Sequence, residues 1–396
     1  MKRSLKLLSI ASSFTAMFSA IWIIVPAPLY ELWLFAVAAS EWSLWIGAIA
    51  IIGIVCSWLV HIVYPKDRVW IISFVMGVSA LAIAFYPLIS VLELADENNV
   101  SLSIRSYFAG LNVLGEKKTK DFTIHTFSRA DGKDLLLDIY SPAPDKINNG
   151  ASVIVVHGGS WDAGKRSDFP QWNNWLAEQG FTVFDIDYRL TPQPNYLTAT
   201  GDVKSAVCWV KDHAAEFRIS PERIILLGRS AGGHLALLAA YTGDDQRFPS
   251  NCTEKGQSAA VRGVVSFYAP TDLIYGYENP ANQRVINGPA TLARFIGGSP
   301  HESNEIRERF SFASPITQVS ALTPPTLIIH GGQDQLVRPE NMSRLGDQLN
   351  KAHVPHETIY ISYAQHGFDY NFNGWSSQIS KSVILHFLIE NTKMIE

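Results

Sequence analysis

The pentapeptide Gly228-Arg229-Ser230-Ala231-Gly232 stands between the aliphatic run Arg223-Ile224-Ile225-Leu226-Leu227 and the stretch Gly233-His234-Leu235-Ala236-Leu237-Leu238-Ala239-Ala240. A run of strand length, a Gly-x-Ser-x-Gly turn and a segment of helix length predict a strand–turn–helix with its central serine thrust out of a tight bend. Glycine suits the flanking positions because a Cβ there would collide with the neighbouring strand and helix. Ser230 is therefore a candidate nucleophile. The amide of Ala231 is a candidate oxyanion donor, since helix N-termini carry unpaired N–H groups and partial positive charge. In a chain with 27 glycines the pentapeptide alone would also fit a serine-capped helix, so the reading needs a base and an acid.

Beyond residue 120, strand-length and helix-length apolar patterns alternate, which predicts an α/β sheet that is mostly parallel, with helices on both faces. Residues 122–127 and 135–140 read as an opening antiparallel pair about Asp131-Gly132. Strands are expected at 152–156, 181–187, 224–227, 263–268, 326–329 and 358–361, and helices near 172–179, 198–217, 339–351 and 376–390. In such a sheet, function gathers at the carboxyl ends of the strands.

Three further loops fall at those ends. His157-Gly158-Gly159-Ser160-Trp161 offers backbone amides unshielded by a Cβ, so Gly158 and Gly159 join Ala231 as oxyanion candidates, the alternative being an ordinary turn. His330-Gly331-Gly332-Gln333-Asp334 supplies Asp334 as the acid, and Gln365-His366-Gly367-Phe368 supplies His366 as the base. An imidazole can take the serine proton and return it to a leaving group if a carboxylate fixes its tautomer. Of the 11 histidines, His366 alone lies just past the last strand in a glycine-containing loop; His157 and His330 read as structural. Asp369 is the runner-up acid, poorly placed three residues from the base. Arg229 reads as a salt-bridge partner. Residues 271–312 form a cap-like insertion whose Tyr275, Tyr277, Phe295, Ile296, Phe310 and Phe312 either line an acyl pocket or make its own small core.

His-Gly-Gly-x-Trp, Gly-x-Ser-Ala-Gly-Gly and the order Ser, Asp, His resemble the α/β-hydrolase family. The likeness is to its esterase/lipase branch, with the hormone-sensitive-lipase-like carboxylesterases, prenylcysteine methylesterases and kynurenine formamidases. The resemblance covers residues 120–396 and implies Ser230 as nucleophile, His366 as base, Asp334 as acid and oxyanion amides from Gly158, Gly159 and Ala231. It departs from the hormone-sensitive-lipase pattern at Ser160, where that pattern has a third glycine, which counts against bulky tertiary-alcohol esters. The membrane anchor described next is not part of the family core.

Residues 1–94 carry few charges and hold three apolar stretches, 7–25, 42–63 and 69–92, each near the ~20 residues that cross hydrocarbon as a helix. Met1-Lys2-Arg3-Ser4-Leu5-Lys6 also suits a signal peptide, but no small-x-small cleavage site follows, so the first stretch is read as a retained span. Residues 33–40 are too short to cross and suit the interface. Lys2, Arg3 and Lys6 precede the first span and Lys66 and Arg68 separate the second from the third, while the intervening loop carries only Glu31 and Glu41. The positive-inside rule then places the domain after residue 94 outside the cytoplasm. The expected organisation is an anchor over 1–94, a connector over 95–120 with a helical apolar spacing from Ser101 to Leu114, and a catalytic domain over 121–396.

A net charge of −4 and the absence of zinc-finger, P-loop or His-Glu-x-x-His patterns argue against nucleic acid, cofactor and metal. Cys208 and Cys252 suit either a disulfide in an oxidising compartment or two buried thiols. The expected activity is hydrolysis of a small carboxylic ester by a membrane-anchored serine hydrolase through an acyl-enzyme. Amide or peptide cleavage by the same triad and a non-catalytic membrane-anchored binding module are the alternatives.

Overall fold

The computed structural model describes residues 2–109, 122–143, 148–191 and 194–393. It begins with α1 (Lys2–Ile21), α2 (Tyr30–Glu41), α3 (Ser43–Val63) and α4 (Val69–Glu97). Three of these, α1, α3 and α4, are long and apolar enough to cross a bilayer. Their burial pattern is inverted relative to a soluble bundle. Ser9, Ser13, Ala16 and Ala20 of α1 face inward, while Leu7, Ile10, Phe14 and Phe18 face out. Ser9 and Ser57 meet through their hydroxyls at 2.9 Å. Small and weakly polar residues inside, with large apolar ones outside, is the packing expected where the solvent is hydrocarbon. The serines that dilute the first apolar stretch are thus partly interior groups.

At 29 residues α4 is about 44 Å long at 1.5 Å per residue, more than a ~30 Å hydrocarbon layer. The excess has a use: Val91 and Ala95 enter the same core as Tyr107 of α5 (Ile104–Ala109) and Trp375. The expected connector helix is thus present as α5, and the remainder of that expectation, including Leu111, Leu114 and Lys117–Lys120, lies outside the described residues.

Eight strands follow: β1 (Thr123–Ala130), β2 (Lys133–Tyr140), β3 (Ser152–Val156), β4 (Thr182–Ile186), β5 (Ile224–Arg229), β6 (Gly263–Phe267), β7 (Thr326–Gly331) and β8 (His356–Ile361). The sheet order is β1-β2-β4-β3-β5-β6-β7-β8, with β1 and β2 antiparallel to their neighbours and the rest parallel. β3, β4, β5, β6 and β7 are buried along their whole length, as expected of strands covered on both faces.

The covering helices are α6 (Pro170–Glu178), α7 (Tyr196–Asp212), α8 (Ala231–Thr242), α13 (Glu340–Lys351) and α14 (Trp375–Thr392). One face holds a core containing α7 and α8, and the other a core containing α6, α14 and the end of α4. A short α9 (Asn251–Lys255) carries Cys252, which is disulfide-bonded to Cys208 of α7. The insertion comprises α10 (Leu273–Glu278), α11 (Gly288–Ile296) and α12 (Asn304–Phe312). The aromatics meet neither expectation: Phe295, Ile296 and Phe310 join the sheet core on the α7 and α8 face, with Tyr277 packed against it, Phe295 stacks on Trp161 at 4.2 Å, and Phe312 stacks on Phe248. None of the six residues proposed from sequence lines the cavity at Ser230.

Candidate active site

β5 delivers the elbow. Ser230 follows it with φ 53° and ψ −120°, a conformation that non-glycine residues adopt only when their surroundings force it. Its amide donates to the Phe267 carbonyl at 2.9 Å, and its own carbonyl accepts from the His234 amide at 2.9 Å, closing the first turn of α8. The two glycines are sterically required: a Cβ at 228 would stand 2.2 Å from the Gly232 carbonyl oxygen, and one at 232 would stand 2.2 Å from that of His157.

Strand register brings the other loops to this point. β3 pairs with β5 so that Val156 faces Gly228, which sets His157 and Gly158 beside Arg229 and Ser230. A Cβ on Gly158 would lie 3.4 Å from Ser230 Cβ. Gly159 has φ +116°, and a Cβ there would strike the Ala163 carbonyl at 2.1 Å. Ser160 also lies in the left-handed region, at φ 54°. The position that departs from the glycine-rich pattern thus keeps a backbone that glycine would adopt without strain.

His366 Nε2 is 2.8 Å from Ser230 Oγ, and His366 Nδ1 is 2.7 Å from Asp334 Oδ2. The Asp334 carboxylate is buried. Oδ1 accepts the amides of Leu336 and Val337 at 2.8 and 2.9 Å, and His330 Nε2 stands 3.2 Å from Oδ2. Burial alone would raise its pKa, but the two histidines and their hydrogen bonds outweigh that and hold the carboxyl well below the usual range. A permanently ionised carboxylate on Nδ1 favours the tautomer whose Nε2 can accept the Ser230 proton.

Asp369 does not compete for the acid position. It is fully buried and pairs with Arg229 Nε at 2.5 Å, so Arg229 makes the salt bridge expected of it. Arg229 also lies 4.1 Å over the Phe169 ring. His157 hydrogen-bonds the Gly158 carbonyl through Nδ1 at 2.7 Å, and buried His234 meets the Ala313 carbonyl at 2.8 Å, its pKa pushed down to about 4 by burial.

Three contacts were not read from the sequence. His330, taken as structural, also touches Asp334. Tyr268 lays its ring 4.4 Å from that of His366 and donates its hydroxyl to Asp369. Glu41, from α2, reaches the segment after His366 through Ser376 and Asn371. Only Tyr268 had a positional signal, as the residue just past a central strand at the active edge. Ser230 opens onto a cavity of about 70 Å³ lined by Ser160, Trp161, Ala231 and residues from the insertion and the 336–341 segment.

A serine on a strained strand-to-helix turn of an eight-stranded α/β sheet, hydrogen-bonded to an imidazole that meets a buried carboxylate, defines the α/β-hydrolase class. Residues 137–349 match the BD-FAE family, and the chain belongs to that family of α/β-hydrolases. The matched span holds Ser230 and Asp334 and ends before His366.

The chain is similar to the probable carboxylic ester hydrolase LipM of Mycobacterium tuberculosis, 32% identical over 59% of this chain and 53% of that protein. It is also similar to the esterase LipC of the same organism, 30% identical over 59% of this chain and 57% of that one. The matches thus span little more than half the length of these curated relatives. The Est2 esterase of Thermogutta terrifontis superposes with a TM-score of 0.55 at 27% identity, over 69% of this chain and 93% of that one. Est2 structures have butyrate or propionate bound or are phosphonylated by sarin.

Proposed function

We propose that this protein is a membrane-anchored serine esterase that cleaves carboxylic esters with short acyl groups. The observation that carries the reading is the 2.8 Å contact between Ser230 Oγ and His366 Nε2, continued at 2.7 Å to Asp334. Ser230 attacks the ester carbonyl as His366 takes its proton; the developing oxyanion is held by the amides of Gly158, Gly159 and Ala231. The imidazolium then protonates the departing alkoxide. Water, activated by the same imidazole, cleaves the acyl-serine and releases the acid.

The names of LipM and LipC, and the short carboxylates held by Est2, support an ester substrate with a small acyl part, as does the modest size of the cavity at Ser230. In this reading α1, α3 and α4 form the anchor and the hydrolase domain lies outside the cytoplasm. Lys6 pairs with Asp67, so the basic ends of the helices share one side of the bundle, the side that the Lys/Arg bias assigns to the cytoplasm. The Cys208–Cys252 disulfide suits an oxidising compartment.

The decisive experiment is Ser230→Ala in the full chain. Wild-type protein should hydrolyse p-nitrophenyl butyrate and label with a fluorophosphonate, and the variant should do neither. Labelling of the variant at the wild-type rate would move the nucleophile elsewhere. Turnover of the matching butyranilide, compared with the ester, measures how far the same triad serves amides.

A further inference from the structure

The segment that leaves α1 turns back over the hydrolase domain before α2 begins. Ala27 is buried against Trp33 and Val285, with Leu336 packed on the same cluster, and its carbonyl accepts a hydrogen bond from Asn282 Nδ2 at 2.6 Å. Asn282 and Val285 belong to the insertion, and Leu336 lies two residues past Asp334. The exit from the first apolar helix is therefore built into the rim of the Ser230 site.

Two cavities share that rim. The cavity at Ser230 and a second, larger groove of about 600 Å³ have Ala281 and Arg338 in common. The groove is bounded on one side by Pro26, Ala27 and Pro28 and on the other by residues 332–335, the loop carrying Asp334. The groove itself is mixed, with Arg284, Arg338 and Glu340 set against Pro26, Ala27 and Pro28, and next to its proline wall Ile24, Val25, Leu29, Tyr30 and Leu34 are exposed. Phe35 of α2 lies 6.2 Å from Phe18 of α1, so the outward apolar face of α1 runs on into α2 without a break. An apolar strip continuous with a spanning helix, on a helix too short to cross, belongs at the boundary between headgroups and acyl chains. Pro26 and Pro28, which flank that strip, also form a wall of the groove.

From this we infer the substrate class of the esterase proposed above, on which the inference rests: a short-chain acyl ester of an alcohol that itself resides in the bilayer. The acyl group occupies the small cavity at Ser230, and the alcohol leaves past the Pro26–Pro28 wall of the groove, its apolar part against the exposed strip of Ile24, Val25 and Leu29. Ser230 takes the acyl group as the ester C–O bond breaks, and the alkoxide collects the proton from His366. Water then frees the short acid into the aqueous phase, while the alcohol stays in the lipid. The Pro26–Pro28 wall and the exposed apolar strip beside it supply contact for the alcohol that a soluble ester does not use.

The test uses the full chain in phosphatidylcholine vesicles with two substrates of one acyl group, soluble p-nitrophenyl butyrate and membrane-partitioned hexadecyl butyrate. Pro28→Trp and Arg284→Trp, both at exposed groove positions outside the Ser230 cavity, should cut hexadecyl butyrate turnover at least tenfold and leave p-nitrophenyl butyrate within twofold. The retained soluble activity shows that the variants fold. Equal turnover of hexadecyl butyrate by wild type and both variants would overturn the inference, as would a wild type that cleaves the soluble ester and not the membrane ester. If wild type cleaves neither, the esterase reading itself fails with it.

Discussion

Glu41 Oε1 accepts a hydrogen bond from Ser376 Oγ at 2.8 Å, and the Glu41 carbonyl accepts one from Asn371 Nδ2 at 2.9 Å. A carboxyl at the end of α2 is thereby sealed into the segment that follows His366. It is 1% exposed, and its Oε2 finds no partner among the described residues. Burial pushes its pKa up to about 8, against the hydrogen bonds from Ser376 and Tyr363 and assisted by the nearby charge of Asp369.

Between the ordinary Glu41 pKa of 4.5 and about 8 the folded chain keeps a proton that the unfolded chain has lost, so stability falls as pH rises, by up to ~1.4 kcal/mol per unit. Below that window both states are protonated, and above it the loss is complete. In detergent, wild type should lose thermal stability between pH 5 and pH 8 relative to Glu41→Gln, whose amide cannot ionise. Parallel melting curves for the two proteins would remove Glu41 from this role.

Asp334→Asn should lower kcat for p-nitrophenyl butyrate by about 10⁴-fold with little change in KM. An amide at this position can donate to Nδ1 and so favours the tautomer that cannot accept the Ser230 proton. A loss below tenfold would show that Asp334 does not orient His366.

Asp369→Asn should destabilise the fold by about 3–5 kcal/mol, because it leaves the Arg229 guanidinium, 2% exposed, without its counter-charge. Denaturant unfolding measures this. The activity that survives at low temperature should keep its pH profile, since Asp369 contacts Tyr268 and Arg229 and not the imidazole of His366.

Reduction of the Cys208–Cys252 disulfide, which joins residues 44 apart, should lower stability by about 4 kcal/mol as the unfolded chain regains the freedom that the link removes. The Cys208→Ser, Cys252→Ser double variant should match the reduced protein. An unchanged melting temperature on reduction would show that the cross-link adds no net stability.

Local patterns along the chain set the elements and the edge at which they act. Strand-length aliphatic runs and the loops that follow them can be read locally, and for that reason the strands, the elbow at Ser230 and the positions of Asp334 and His366 were legible. The three apolar helices were equally plain, because length and charge content are properties of a contiguous stretch. Every pairing across distance came from packing in three dimensions. Asp369, three residues from His366, turned to Arg229 at the end of β5; Phe295, Ile296 and Phe310 of the insertion packed into the sheet core, leaving smaller insertion residues such as Gly276, Ala281 and Gly288 to line the cavity. Glu41 met Ser376 across 335 positions, and no periodicity encodes a contact between the end of α2 and the start of α14. Local pattern fixes which groups reach the surface of an element; only packing chooses the partner that each one meets.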